Sequence, residues 1–124
     1  ARPHDLVVVE GAGGWRVPLN HAETLADLAR LLGFPVILVV GLRLGCINHA
    51  LLSAEAIRAD GLRLAGWVAN HVDPAMSCAA ENLATLDAML PAPRLGCIPW
   101  RAGMGARAAA DCLDRGLLWR ALRG

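Results

Sequence analysis

The sequence predicts an α/β protein built on a parallel sheet with flanking helices, and three observations carry that reading. Short apolar runs alternate along the chain with stretches whose apolar residues recur at helical spacing. The runs at residues 6–9 and 36–40 are apolar at nearly every position rather than at alternate ones, the pattern of strands covered on both faces. Hydrophobic residues make up 56% of the 124 and charged residues 19%, well above the apolar share that a small surface-dominated chain needs. That surplus has to face a doubly covered sheet, a partner subunit or more of the same chain.

The elements follow in order. After Ala1-Arg2-Pro3-His4 a strand is expected at residues 5–9, leading into the glycine-rich turn that begins at Gly11. A helix follows at residues 24–32, ended by Gly33 and Pro35, and a second strand at residues 36–40. Residues 41–45 form a loop. Ile47, Leu51, Ala54 and Ile57 then mark one face of a helix that stops at Asp60-Gly61. The third strand is residues 64–69, followed by a loop at 70–75. Ser77 is placed to cap a helix reaching about Leu90, where Pro91 and Pro93 break it. Residues 94–98 form the fourth strand, and a last helix carries Leu113, Leu117, Leu118 and Leu122. Trp15, Trp67 and Trp119 are expected to pack, and His4 and His21 to lie on the surface. Parallel strands joined this way take right-handed crossovers. No internal repeat or linker divides the chain, and its entry straight into an apolar strand predicts one portion of a larger domain.

Composition excludes several function classes. Net charge is +1 and the basic residues, all twelve of them Arg, are interleaved with acids, so no stripe is available to track a nucleic-acid backbone. The run at residues 35–42 is too short to span a bilayer. The four cysteines lie far apart without a Cys-x-x-Cys pair, which argues for reduced thiols and a cytoplasmic setting.

In an open α/β sheet ligands gather at the carboxyl ends of the strands. Glu10, Gly11, Ala12 and Gly13 follow the first strand; a carboxylate there can hold Mg²⁺ while glycines let backbone N–H groups approach phosphate. The same residues also suit a turn-capping Glu with glycines at positive φ. Gly45, Cys46, Ile47 and Asn48 open the second long helix, whose free N–H groups suit an anion, or form an ordinary loop. Cys46 and His49, three residues apart near a helix start, need not meet as a nucleophile pair. Asn70-His71 follows the third strand and Pro99-Trp100-Arg101 the fourth. An Asn amide offers a nucleobase both a donor and an acceptor, and a Pro-Trp wall offers an apolar face. A buried Asn serving its own loop and a core Trp explain the same residues equally well.

Taken together, Glu10-Gly11-Ala12-Gly13-Gly14-Trp15 with Pro18-Leu19, the run from Pro35 to Gly41, Leu44-Gly45-Cys46-Ile47-Asn48-His49-Ala50, Ala65-Gly66-Trp67-Val68-Ala69-Asn70 and Ile98-Pro99-Trp100 resemble the dethiobiotin synthetase family in its own order. The resemblance fades after Trp100. It implies a P-loop NTPase-like α/β fold, of which residues 1–124 would be the C-terminal portion of a single domain. It further implies a homodimer with the active site at the interface. The implied reaction is an ATP- and Mg²⁺-dependent ligation that joins CO₂ to 7,8-diaminopelargonic acid and closes the ureido ring of dethiobiotin. Glu10 would be the Mg²⁺ ligand, Gly11, Ala12 and Gly13 would line the nucleotide phosphates, and Asn70, His71, Pro99, Trp100 and Arg101 would meet the base. Gly45, Cys46, Ile47 and Asn48 would receive the substrate carboxylate from the neighbouring subunit.

The departures are specific. His71 stands where the family usually shows Asp, and residues 101–107 contain no acid. The family's P-loop and its catalytic lysines would precede Glu10, so no catalytic residue is expected in this chain, which has no lysine. Arg is a poor replacement where a compact point charge is needed. The different-class alternative is a non-catalytic binding or dimerising fragment; a further one is another P-loop enzyme, such as a cobyrinate-type amidotransferase synthetase or a partition ATPase.

Overall fold

The computed structural model describes residues 6–124; Asp5 and His4, both named above, lie outside them. Three strands, β1 (Val36–Leu42), β2 (Leu64–His71) and β3 (Arg94–Ile98), pair in parallel in the order β1-β2-β3. The ladder runs from Val36 opposite Leu64 to Leu42 opposite His71, and from Trp67 opposite Arg94 to Asn70 opposite Ile98. Each ladder has one irregularity, at Val36/Ile37 and at Trp67/Val68, where Ala65 and Leu95 are the unpaired extra residues. Pairing carries β1 and β2 two residues beyond the expected ends, so Asn70 and His71 belong to the strand rather than to the loop after it.

Helices cover both faces. Helix α2 (Cys46–Ala59) and helix α3 (Ala79–Met89) pack on one face, where Trp67 and Leu42 are fully enclosed with Ala50, Ala54, Ile57 and Leu86. The other face buries Ala65, Val68 and Leu95 under Ala121, Leu117 and Leu118 of α5 (Arg115–Arg123). This two-sided burial explains why β2 is apolar at nearly every position. Trp67 Nε1 is buried without a hydrogen-bond partner among the described residues.

Local chemistry sets the helix ends. The Asp27 carboxylate in α1 (Leu25–Leu32) accepts from both the backbone N–H and the hydroxyl of Thr24 at 2.8 Å, and these bonds hold its pKa below the usual carboxylate value. Helix α3 begins one residue later than expected: Cys78, not Ser77, is its N-cap, at φ 56, and no side chain caps it. The expected last helix is two, α4 (Ala106–Ala110) and α5: the first ends at its C-cap Asp111, and Asp114 caps the second by accepting from the Leu117 N–H at 2.9 Å.

Three further expectations change. Residues 6–9 form no strand, and Val8 is 80% exposed; without a neighbouring strand their N–H and C=O groups have nothing to pair with. Leu113 belongs not to a helix but to an antiparallel bridge with Gly96, backed by the Asp114 N–H donating to Leu95 O at 2.8 Å. Trp119 is 48% exposed, with the Arg123 guanidinium 5.1 Å from its ring centre. All four cysteines are free thiols, as expected.

Candidate functional site

The carboxyl ends of β2 and β3 open a cleft of about 300 Å³. Asn70 and His71 end one strand on its wall, Pro99, Trp100 and Arg101 leave the other, and Met104, Gly105, Ala106 and Ala109 close it from the α4 side. Two short segments whose nearest residues, His71 and Pro99, are 28 positions apart in sequence thus meet because parallel strands end together on one edge. Trp100 is half exposed and supplies a flat apolar surface, and exposed Arg101 brings a positive charge. Chemically the cleft offers an amide that can donate and accept, an aromatic wall and a cation, a set suited to a heterocycle bearing anionic groups.

The second anion candidate follows β1. Gly45 takes φ 92 at the N-cap of α2, a left-handed conformation that favours glycine. The Cys46 N–H already donates to Arg43 O at 3.0 Å, and Gly45 O accepts from His49 N–H. Among the described residues no acceptor meets the N–H groups of Ile47 or Asn48, so those two amides, at the positive end of a 14-residue helix, are the anion-seeking ones. The Cys46 side chain is buried and turns toward Asn82, 3.8 Å from Sγ to Oδ1, and takes no partner from His49.

Glu10, Gly11, Ala12 and Gly13 are exposed and do not line the cleft. The chain just beyond them is tied to the far end of α2: Trp15 Nε1 donates to Asp60 Oδ2 at 2.7 Å and the Arg16 guanidinium pairs with the same carboxylate at 2.9 Å. A 14-residue helix is about 21 Å long, so this anchor lies well away from the amides of Ile47 and Asn48. With residues 6–9 unpaired, nothing in the described chain draws Glu10 to the sheet's carboxyl edge. Among the described residues no three His, Cys, Asp or Glu side chains group as a metal site. Glu10 alone fits Mg²⁺ as one ligand, since that ion commonly takes one or two carboxylates with phosphate and water completing its shell.

Trp15 first, and Arg16 after it, hold the Asp60 carboxyl below its ordinary 3.8. A carboxyl depressed in the folded state stabilises the fold above its unfolded pKa and loses that contribution as pH falls through the folded value. The tether is therefore expected to be intact at pH 3.8 and to release only as the pH falls further, through the depressed value of the folded chain. On acidification the Trp15 indole N–H of the native chain should lose its protection relative to Asp60→Ala, where it is unprotected throughout; a native-to-variant ratio of exchange rates that does not change with pH would refute this.

Sequence reasoning missed the α4 side of the cleft and the contact of Cys97 with His71. The Gly105-Ala106 step before an alanine-rich stretch was a readable helix signal. The cysteine contact depends on strand register, for which the sequence holds no local marker.

An AAA domain family model matches residues 1–108. The chain is 69% identical over 110 residues to the ATP-dependent dethiobiotin synthetase BioD of Pseudomonas paraeruginosa, covering 89% of this chain and 48% of that protein. It is 74% identical over 110 residues to the protein of the same name from Pseudomonas aeruginosa strain UCBPP-PA14, with the same coverages. For the Cellvibrio japonicus protein of that name, identity is 60% over 113 residues, covering 91% of this chain and 50% of the relative. The chain thus spans about half the length of the curated relatives it matches.

Proposed function

This chain belongs to the AAA domain family, and on that footing we propose that it is the C-terminal portion of a dethiobiotin synthetase domain. The proposed whole enzyme is an ATP- and Mg²⁺-dependent ligase that closes the ureido ring of dethiobiotin from 7,8-diaminopelargonic acid and CO₂. Supporting it most directly is the cleft that gathers Asn70, His71, Pro99, Trp100 and Arg101 at one edge of a parallel sheet. In this reading the Asn70 amide pairs with the edge of the nucleotide base, and Pro99 and Trp100 exclude water from one side of it. The N–H groups of Ile47 and Asn48 receive the distal carboxylate of a substrate bound mainly to a second copy of the chain, so the working form is a homodimer. Glu10 contributes one carboxylate to Mg²⁺, which when bound neutralises charge on the phosphates during phosphoryl transfer.

Such a transfer is mostly positioning and charge neutralisation. The chain holds a base site and a carboxylate site, yet it contains no lysine to balance charge at the transferred phosphoryl group. Release of phosphate from MgATP, with diaminopelargonate and bicarbonate present or absent, tests the reading. Substrate-dependent turnover is expected when the chain is joined to the other half of a relative, and none from the 124 residues alone. Turnover by the chain alone would refute the division of labour, and silence from both would favour a non-catalytic binding module.

A further inference from the structure

At the ends of β2 and β3 two side chains 26 positions apart meet: His71 Nε2 lies 3.4 Å from Cys97 Sγ, within hydrogen-bonding reach of sulfur. Register accounts for the contact. Ala69 is directly opposite Cys97, and His71, two residues further along β2, faces the same side. Cys97 has no other hydrogen bond among the described residues, and His71 has none through Nδ1.

The two groups are unequal partners. A neutral imidazole carries one N–H and one strongly accepting nitrogen, whereas a thiol is a weak donor and a weaker acceptor. Donation from the S–H to Nε2 uses the ring's acceptor well; donation from Nε2–H to sulfur would spend the ring's single donor on a poor acceptor. The bond made by one ring nitrogen fixes the proton on the other. With Nε2 accepting from Cys97, the proton sits on Nδ1, the nitrogen left for a ligand in the cleft that His71 lines.

We propose that Cys97 is a specificity-determining positioning residue: by holding His71 as its Nδ1–H tautomer, it makes this wall of the cleft a hydrogen-bond donor. The ligand group beside His71 is then an acceptor, the carbonyl oxygen of a nucleobase, and not an amino group. Asn70, which can both donate and accept, tolerates either. The inference about the ligand rests on the reading of the cleft as a base site; the inference about the tautomer does not.

The two are separated by experiment. Long-range ¹H–¹⁵N correlation of the His71 ring reads the tautomer without any ligand. The native chain and Cys97→Ser, whose hydroxyl also donates, are expected to show an unprotonated Nε2. Cys97→Ala is expected to shift the ring toward the Nε2–H form. A protonated Nε2 with a bare Nδ1 in the native chain, or a Cys97→Ala spectrum like the native one, overturns the proposal. Equilibrium binding of inosine triphosphate against ATP then reads specificity, since inosine presents a carbonyl where adenine presents an amino group. Cys97→Ala should lower the relative affinity for the inosine nucleotide about fivefold, the weight of one neutral hydrogen bond, and Cys97→Ser should restore it. A ratio unmoved by a changed tautomer overturns the specificity claim. If neither nucleotide binds any variant of the chain joined to the other half of a relative, the base-site reading fails while the ring spectra still decide the role of Cys97.

Discussion

Trp67→Ala is expected to destabilise the fold by about 3–5 kcal/mol, the usual cost of emptying a fully enclosed aromatic site. Trp67 sits on β2 between the two helices that cover its face, with no exposed surface. A typical domain has only ~5–15 kcal/mol in hand, so much of the margin would go with one side chain. Trp67→Phe is the informative companion. It leaves a smaller void and removes an indole N–H that has no partner among the described residues, a buried group that costs about 1–3 kcal/mol. The two effects oppose, and the Phe variant is expected within about 1 kcal/mol of the native chain. Urea unfolding followed by far-ultraviolet circular dichroism checks both; an Ala variant within 1 kcal/mol of native would mean Trp67 is not the centre of the core.

Gly96→Val is expected to detach α5 from the sheet. A Cβ at this position would lie 2.5 Å from Cys112 O and 3.0 Å from Leu113 Cα, and backbone cannot swing aside as a side chain can. The Leu113 bridge and the Asp114 to Leu95 hydrogen bond would have to open, uncovering Ala65, Val68 and Leu95. The expected cost is about 2–4 kcal/mol, from overpacking plus lost burial. Gly96→Ala should show the same pattern more weakly. Gly105→Ala, at φ −83 with nothing within 4 Å of the added atom, should change stability by less than about 0.5 kcal/mol. Hydrogen exchange separates detachment from general loosening: amides of residues 113–123 should lose protection before those of β1 and β2. Uniform loss would show that α5 is not a separable unit.

What the sequence revealed, and what it withheld, divides by range of interaction. Periodic apolar residues, Gly33, the Asp60-Gly61 stop and the prolines after Leu90 act over a few positions, and the elements they mark are present. That Asn70, His71, Pro99, Trp100 and Arg101 gather around one cleft was legible because strand ends in a parallel sheet converge. The bulges at Ala65 and Leu95, the Gly96 to Leu113 bridge and the Cys97 to His71 contact depend on register between strands, and no local residue pattern sets that register. Residues 6–9 fail for the complementary reason: their composition suits a strand, but a strand is a relation to a neighbour, and here the neighbour is missing from the described chain.

The bridge at Gly96 also bears on which edge of the sheet a second copy could meet. β3 has β2 on one side and, at Gly96, Leu113 on the other, so its outer rim is blocked at that one position, while β1 has no strand on its outer side among the described residues. A sheet with two free rims can add copies without limit in the manner of a fibre. One with a single free rim can join another only once, rim to rim, after which neither has an end left to offer. Leu113 therefore hinders the addition of a further strand beside β3 at that position, although it lies outside the cleft.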